Sequence, residues 1–260
     1  MIIIKLGGSV VTRKSSSSQK IRKSNIKRLA KEISEIYKNH KIILVHGAGY
    51  GHYIAKQYNL HTANISPERK LGFCLTDQRM LQLSSSIMNE LLTHQIPALF
   101  FPPHSITKQS AGKLVEFDTT QIQSALKQDL VPVLSGDVVL DDKWNCSVLS
   151  GDTIVCYLAR KLKANKVIFL TDVDGVFDKN PKISKNAKLI SLVNNKNVNQ
   201  VLKNLTSHNN FDVSGEIKGK IEAIKAYLPK HAVVIANGLR SKYLLEVAAG
   251  SPIGTKLQFD

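Results

Sequence analysis

The chain has 260 residues, of which 43% are hydrophobic and 22% charged. This is ordinary globular composition and excludes a disordered chain, a collagen-like fibre and a short disulfide scaffold. Lys and Arg total 36 against 20 Asp and Glu, a formal net charge of +16, which turns attention to anionic ligands.

From the N-terminus, Ile2–Leu6 is a short β-branched run ending at Gly7-Gly8 and predicts a buried strand followed by a turn. It is too short for a signal-peptide core, and no apolar run reaches the ~20 residues that cross a bilayer. A polar loop over Ser15–Ser18 precedes a helix capped by Ser24, with Ile26, Leu29, Ile33, Ile36 and Tyr37 on one face. Lys41–His46 predicts a second buried strand, entering the glycine-rich turn Gly47–Gly51 and then a helix. A long helix is expected over Thr76–Thr93, striped by Met80, Leu83, Ile87 and Leu91. Strands follow at Ile96–Phe101 and Leu130–Leu134, separated by a hairpin over Ile106–Phe117 and a short helix over Thr119–Gln128. A second hairpin spans Val138–Leu149. The rest predicts helix Gly151–Leu162, strand Val167–Thr171, helix Gly215–Tyr227, strand Ala232–Ala236, helix Leu239–Ala249 and an edge strand Thr255–Gln258. Residues 178–214, dense in Lys and Asn, are the loosest stretch.

Apolar runs alternating with helices predict an α/β fold: a mostly parallel sheet covered on both faces, with two hairpins added. Ligands of such sheets sit at the carboxyl ends of the strands, where every glycine cluster of this chain falls. Basic residues concentrate in two blocks, 11 against 2 acidic over residues 1–41 and 14 against 6 over residues 160–230. Cys74, Cys146 and Cys156 are an odd set without CxxC spacing, which predicts reduced thiols and a cytoplasmic protein.

Five constellations carry chemistry. In Lys5-Leu6-Gly7-Gly8-Ser9, glycines after a strand let backbone N–H groups approach phosphate oxygens, and Lys5 projects toward the same anion. The GxxxxGK[ST] phosphate loop is absent. In His46-Gly47-Ala48-Gly49-Tyr50-Gly51-His52, a second anion-binding turn leads into a helix, where the His52 imidazole can hydrogen-bond phosphate or merely face solvent. Ser150-Gly151-Asp152 offers one carboxylate to two lysines, or an ordinary N-cap. Thr171-Asp172-Val173-Asp174-Gly175-Val176-Phe177-Asp178, with Pro181, suits a nucleotide base or ribose, or is a β-turn of Asp and Gly. Asp212-Val213-Ser214-Gly215-Glu216, followed by Lys218 and Lys220, suits a triphosphate grip or a solvated helix start.

The order and spacing of these motifs resemble the amino acid kinase family from Lys5 to about Gly254. The resemblance implies a three-layer αβα sandwich in a single domain, with an acceptor-binding part at about 1–150 and a nucleotide-binding part at about 151–260. The histidine closing the second glycine loop, and the segment Val10-Val11-Thr12-Arg13-Lys14, are similar to members that phosphorylate isopentenyl phosphate. The implied activity is ATP-dependent conversion of isopentenyl phosphate to isopentenyl diphosphate, a step in isoprenoid precursor synthesis by an alternative mevalonate route. Implied catalytic residues are Lys5, Lys14, His52 and Asp152. Lys5, Leu6, Gly7, Gly8, Ser9, Gly49, Asp172, Phe177, Asp178, Pro181, Gly215 and Lys220 would bind ATP. Ala48, Gly49, His52 and Gly151 would bind the acceptor, whose tail would lie along Leu71, Phe73, Leu75, Met80, Leu83 and Ile87. Mg²⁺ would arrive with ATP, with no metal cage of the protein's own, and the expected assembly is a homodimer. Ala48 and Glu216 stand where the family often has glycine, and the second loop is one residue shorter. A kinase of another phosphate or a phosphonate, of the fosfomycin type, shares the loop histidine and is the first rival. A basic nucleic-acid-binding protein explains the charge but not the glycine-ended strands.

Overall fold

The computed structural model describes residues 1–13, 20–49, 51–63, 66–207, 216–229 and 231–259. In the first half, β1 (Ile2–Leu6), α1 (Gly8–Val11), β2 (Thr12–Arg13) and β3 (Lys20–Ile21) precede α2 (Lys23–Tyr37) and β4 (Ile42–His46). Then come α3 (Gly51–Gln57), α4 (Glu68–Thr93), β5 (Ala98–Phe100), α5 (Pro103–Ile106), β6 (Thr107–Ser110), β7 (Lys113–Phe117) and α6 (Thr120–Lys127). The middle holds β8 (Val131–Ser135), β9 (Asp137–Asp141), β10 (Asn145–Leu149), α7 (Gly151–Lys161) and β11 (Lys166–Thr171). The chain closes with β12 (Leu192–Val193), α8 (Val198–Ser207), α9 (Glu216–Tyr227), β13 (Val233–Asn237), α10 (Tyr243–Ala249) and β14 (Thr255–Leu257).

The central sheet has eight strands in the order β12-β14-β13-β11-β1-β4-β8-β5. It is parallel from β13 to β5, and β14 runs antiparallel to β13. Alternate side chains of β1 enter different cores, as the period of two requires. Ile2, Ile4 and Leu6 pack with α2, α4 and α10 residues such as Leu29, Leu83 and Leu244, whereas Ile3 packs with α7 and α9 residues such as Val155 and Ile224. A sheet buried on both faces explains why its strands read as unbroken apolar runs. The three-layer αβα expectation is met, and both hairpins form in a second sheet, β10-β9-β6-β7.

Several elements differ from the sequence reading. Ser24 does not cap α2: Arg22 holds the cap position, because its N–H donates to Val11 O at 2.8 Å and fixes the chain two residues earlier. Helix α4 starts at Glu68 rather than Thr76. Its first turns bury Arg69, Gly72 and Thr76 while Leu71 and Leu75 face outward, so hydrophobicity does not mark the inner face there. The short α1 and α5, strands β2 and β3, and β12 with α8 inside the Lys/Asn-rich stretch were not expected. Strand β12 pairs outside β14, so β14 is not the edge.

Candidate active site

The strand ends are stitched together by main-chain bonds one residue beyond each strand. Gly7 donates to Leu170 O at 2.9 Å, Gly47 to Leu6 O at 2.8 Å, and Gly136 to His46 O at 2.9 Å. The turns after β1 and β4 thereby touch backbone to backbone. A Cβ on Gly47 would lie 2.6 Å from Gly8 N, closer than any side chain tolerates. Gly49 adopts φ +51°, the left-handed region that favours glycine. These residues form one glycine-lined floor, with Ser9 buried and Ala48 half-buried on its rim.

Lys5 stands in β1 at the same face as Ile3, beside Phe169 and Val45 of its neighbour strands. That face carries α7 and α9. The Lys5 ammonium meets Asp152 of α7 at 2.7 Å, and the Lys220 ammonium of α9 meets the other oxygen of the same carboxylate at 2.8 Å. The Lys220 ammonium also lies 4.8 Å from the centroid of the Phe169 ring. Burial works to raise the Asp152 carboxyl, but Lys220 and then Lys5 outweigh it and hold it well below the usual carboxylate range. Two buried ammoniums thus share one carboxylate at the floor, which ties β1, α7 and α9 together. Ser150 accepts from the Asp152 N–H at 3.1 Å, so the N-cap and the lysine-orienting readings of this motif both hold. Gly151, next to it, is buried against the floor.

On the far side of the floor, Gly51 opens α3 and is packed on α4: a Cβ there would lie 2.7 Å from Met80 Sδ. His52 follows on the exposed side, its ring 4.8 Å from that of His61 and inclined by 63°. His46, which begins the same loop, is fully buried with Nε2 2.8 Å from Ser84 Oγ. Desolvation is the main cause that lowers it to about 4, so it is neutral and structural. Of the expected tail-lining set, Met80, Leu83 and Ile87 are core, and Leu71 and Leu75 are exposed. Phe73 alone is half-buried at the rim, packed on the small cluster of Ala55, Leu60, Val138 and Cys146.

Beyond β11, Asp172 pairs with Lys182 at 2.5 Å. Desolvation pushes its carboxyl up, and the Lys182 contacts, its own backbone N–H and the Ser9 hydroxyl together bring it below the ordinary value. Phe177 bridges to Leu189, and the Asp178 carboxylate accepts from Lys188 N–H at 2.7 Å. Asp178 therefore closes the loop that carries half-buried Pro181. Lys14 and Gly215, with Tyr50 and the Asp212–Ser214 stretch, lie outside the described residues.

The structure brings Lys5, Gly7, Gly8, Ala48, Gly49, Gly151, Asp152 and Lys220 to one place. Three participants were missed. Gly136 carries the third turn, where a Cβ would lie 2.6 Å from Gly151 N; the repeated Ser-Gly-Asp of residues 135–137 and 150–152 was the available signal. Lys182 was hidden in a lysine-rich stretch, and Phe169 read only as a core residue.

A family model described as the amino acid kinase family matches residues 1–237. Isopentenyl phosphate kinase of Methanothermobacter thermautotrophicus is 37% identical over 231 residues, 86% of this chain and 85% of that protein. Its counterpart in Methanocaldococcus jannaschii is 34% identical over 100% of this chain and 99% of that protein. A solved isopentenyl phosphate kinase structure superposes with a TM-score of 0.87 at 31% identity, covering 99% of both chains. The buried Lys–Asp–Lys centre on a glycine-lined floor thus lies in a fold and sequence shared along the whole chain, and the chain belongs to the amino acid kinase family, on its isopentenyl phosphate kinase branch.

Proposed function

We propose that this chain is an ATP-dependent kinase that converts isopentenyl phosphate to isopentenyl diphosphate, with ADP as the other product. The observation that carries the reading is the buried Lys5–Asp152–Lys220 centre, joined to full-length similarity with isopentenyl phosphate kinases. A phosphate monoester is mostly dianionic at neutral pH. Its oxygen attacks the γ-phosphorus without a general base, and the bond to the ADP oxygen breaks. What the protein supplies is position and charge neutralisation. Lys5 and Lys220 face the transferring phosphoryl group, Asp152 holds both ammoniums in place, and Lys14 adds a further cation. The N–H groups of Gly8, Gly49 and Gly151 face phosphate oxygens, and His52 with Ala48 holds the acceptor phosphate. Leu6, Gly7, Ser9, Asp172, Phe177, Asp178, Pro181 and Gly215 bind ATP. Phe73 borders the place for the five-carbon tail.

Magnesium enters this proposal with the triphosphate. Asp152 is already bound on both sides by lysines, and among the described residues no group of three or more His, Cys, Asp or Glu is placed to hold a metal ion. Mg²⁺ held mainly by phosphates and water needs few protein ligands, and it would offset charge on the β- and γ-phosphates. Family membership also supports the two-part division near residue 150, a homodimer and a cytoplasmic location. Among the described residues no helix is long and apolar enough to cross a membrane.

The fosfomycin-type and nucleic-acid readings are not favoured, since the relatives at 34–37% identity are isopentenyl phosphate kinases. Turnover of isopentenyl phosphate, fosfomycin and UMP by the purified protein with ATP tests the assignment. Isopentenyl phosphate should be preferred by orders of magnitude in kcat/KM. Preference for either other acceptor would overturn it.

A further inference from the structure

We propose that His61 is a positioning residue that sets the ring of His52 for the acceptor phosphate, held in place by the buried guanidinium of Arg69. The proposal rests on the reading that His52 holds that phosphate. His52 lies in the first turn of α3, on the exposed side of the helix. The chain returns to it after α3 in three anchored steps. Asn59 takes a left-handed φ of 52°, reversing the chain. Leu60 is fully buried and its N–H donates to Ala55 O at 2.8 Å. His61 then stands edge-on to His52, with ring centroids 4.8 Å apart and an interplanar angle of 63°. That is the geometry aromatic rings prefer.

Arg69 explains why the segment stays there. It is only 3% exposed, and no carboxylate among the described residues pairs with it. Its guanidinium donates to the carbonyls on either side of His61, Asn59 O at 2.5 Å and Thr62 O at 2.9 Å. It also reaches Cys146 O at 2.7 Å on β10. A buried guanidinium whose two terminal nitrogens donate to backbone carbonyls is a clamp, tying Asn59 and Thr62 to β10 of the second sheet. The His61 side chain is exposed. Desolvation, then His52 and then Lys56, lower it to about 4. It is therefore uncharged at neutral pH, and its part is that of a ring rather than a second phosphate-binding cation.

Steady-state kinetics of His61→Ala, His61→Phe, His52→Ala and the double alanine variant test this, with thermal melts alongside. His61→Ala should lower kcat/KM for isopentenyl phosphate about two- to tenfold, the range of an aromatic pair. KM for ATP and Tm should stay at the wild-type values, and His61→Phe, which keeps a ring, should restore activity. In the His52→Ala background His61→Ala should cost nothing further. Full activity of His61→Ala, an equal loss in the His52→Ala background, failure of phenylalanine to rescue, or a matching change in KM for ATP would each overturn the proposal. A wild-type His52→Ala enzyme would overturn the placement of the acceptor phosphate and this proposal with it. Loss in His52→Ala with none in His61→Ala would overturn the His61 role alone.

Discussion

Two lysine–carboxylate contacts stand at the ends of neighbouring strands, and burial separates them. Asp152 is 14% exposed between Lys5 at 11% and Lys220 at 5%, whereas Asp172 is 21% exposed and its partner Lys182 59%. Both are short. The first joins β1, α7 and α9, and its low exposure leaves little room for water to compete with it. The second holds a surface lysine whose entropy and hydration take back much of what the contact provides. A buried carboxylate with two cations is thus a fixed part of the scaffold, and the exposed pair is one that is free to rearrange.

Breaking the buried centre should have the largest effect. Asp152→Asn removes the shared counter-charge of two buried ammoniums. We expect kcat to fall about 100-fold or more, as with other preorganised electrostatic groups, and stability to fall by about 3–5 kcal/mol. Kinetics paired with denaturant unfolding would show both; a wild-type kcat would reduce Asp152 to an acidic residue in the first turn of α7. The centre should also be insensitive to mild acid. A carboxyl held below its unfolded value contributes stability that is complete above about pH 4 and is lost only as pH falls through the depressed folded value.

His46, one strand away, should respond with the same sign but in milder acid. Its folded value of about 4 lies below the ordinary 6.5, so the unfolded chain binds the proton first and stability is lost as pH falls from 6.5 toward 4. Between pH 7 and pH 5 this amounts to about 2 kcal/mol. His46→Gln should remove that part of the acid slope in urea unfolding at the two pH values. An unchanged slope would mean that His46 does not stay neutral in the fold.

The exposed pair should give the smallest effect. Lys182→Ala should raise KM for ATP by at most about fivefold, the range of a solvent-exposed pair, and the difference should shrink at high salt. A loss as large as that of Asp152→Asn would erase the contrast between the two contacts.

The α/β class and the meeting of glycine turns at the strand ends were legible because they rest on local rules. Strands buried on both faces need unbroken apolar runs, as in Ile2–Leu6 and Ile42–His46, and turns that approach each other backbone to backbone need glycine, as at Gly8 and Gly47. Tertiary structure decided what those rules leave open. Lys220 lies 68 residues from Asp152 in sequence, and only the packing of α9 on α7 makes them partners. Gly136 looked like any turn until β8 was set beside β4. The same holds for α4, whose first turns turn polar Arg69 and Thr76 inward and Leu71 outward. Its inner face meets backbone carbonyls and a glycine turn there rather than an apolar sheet, and hydropathy records only the burial of apolar side chains. The sequence by itself therefore determined which residues are competent for phosphate chemistry, and the tertiary structure decided which of them share a charge, because pairing depends on distances in space that no local pattern encodes.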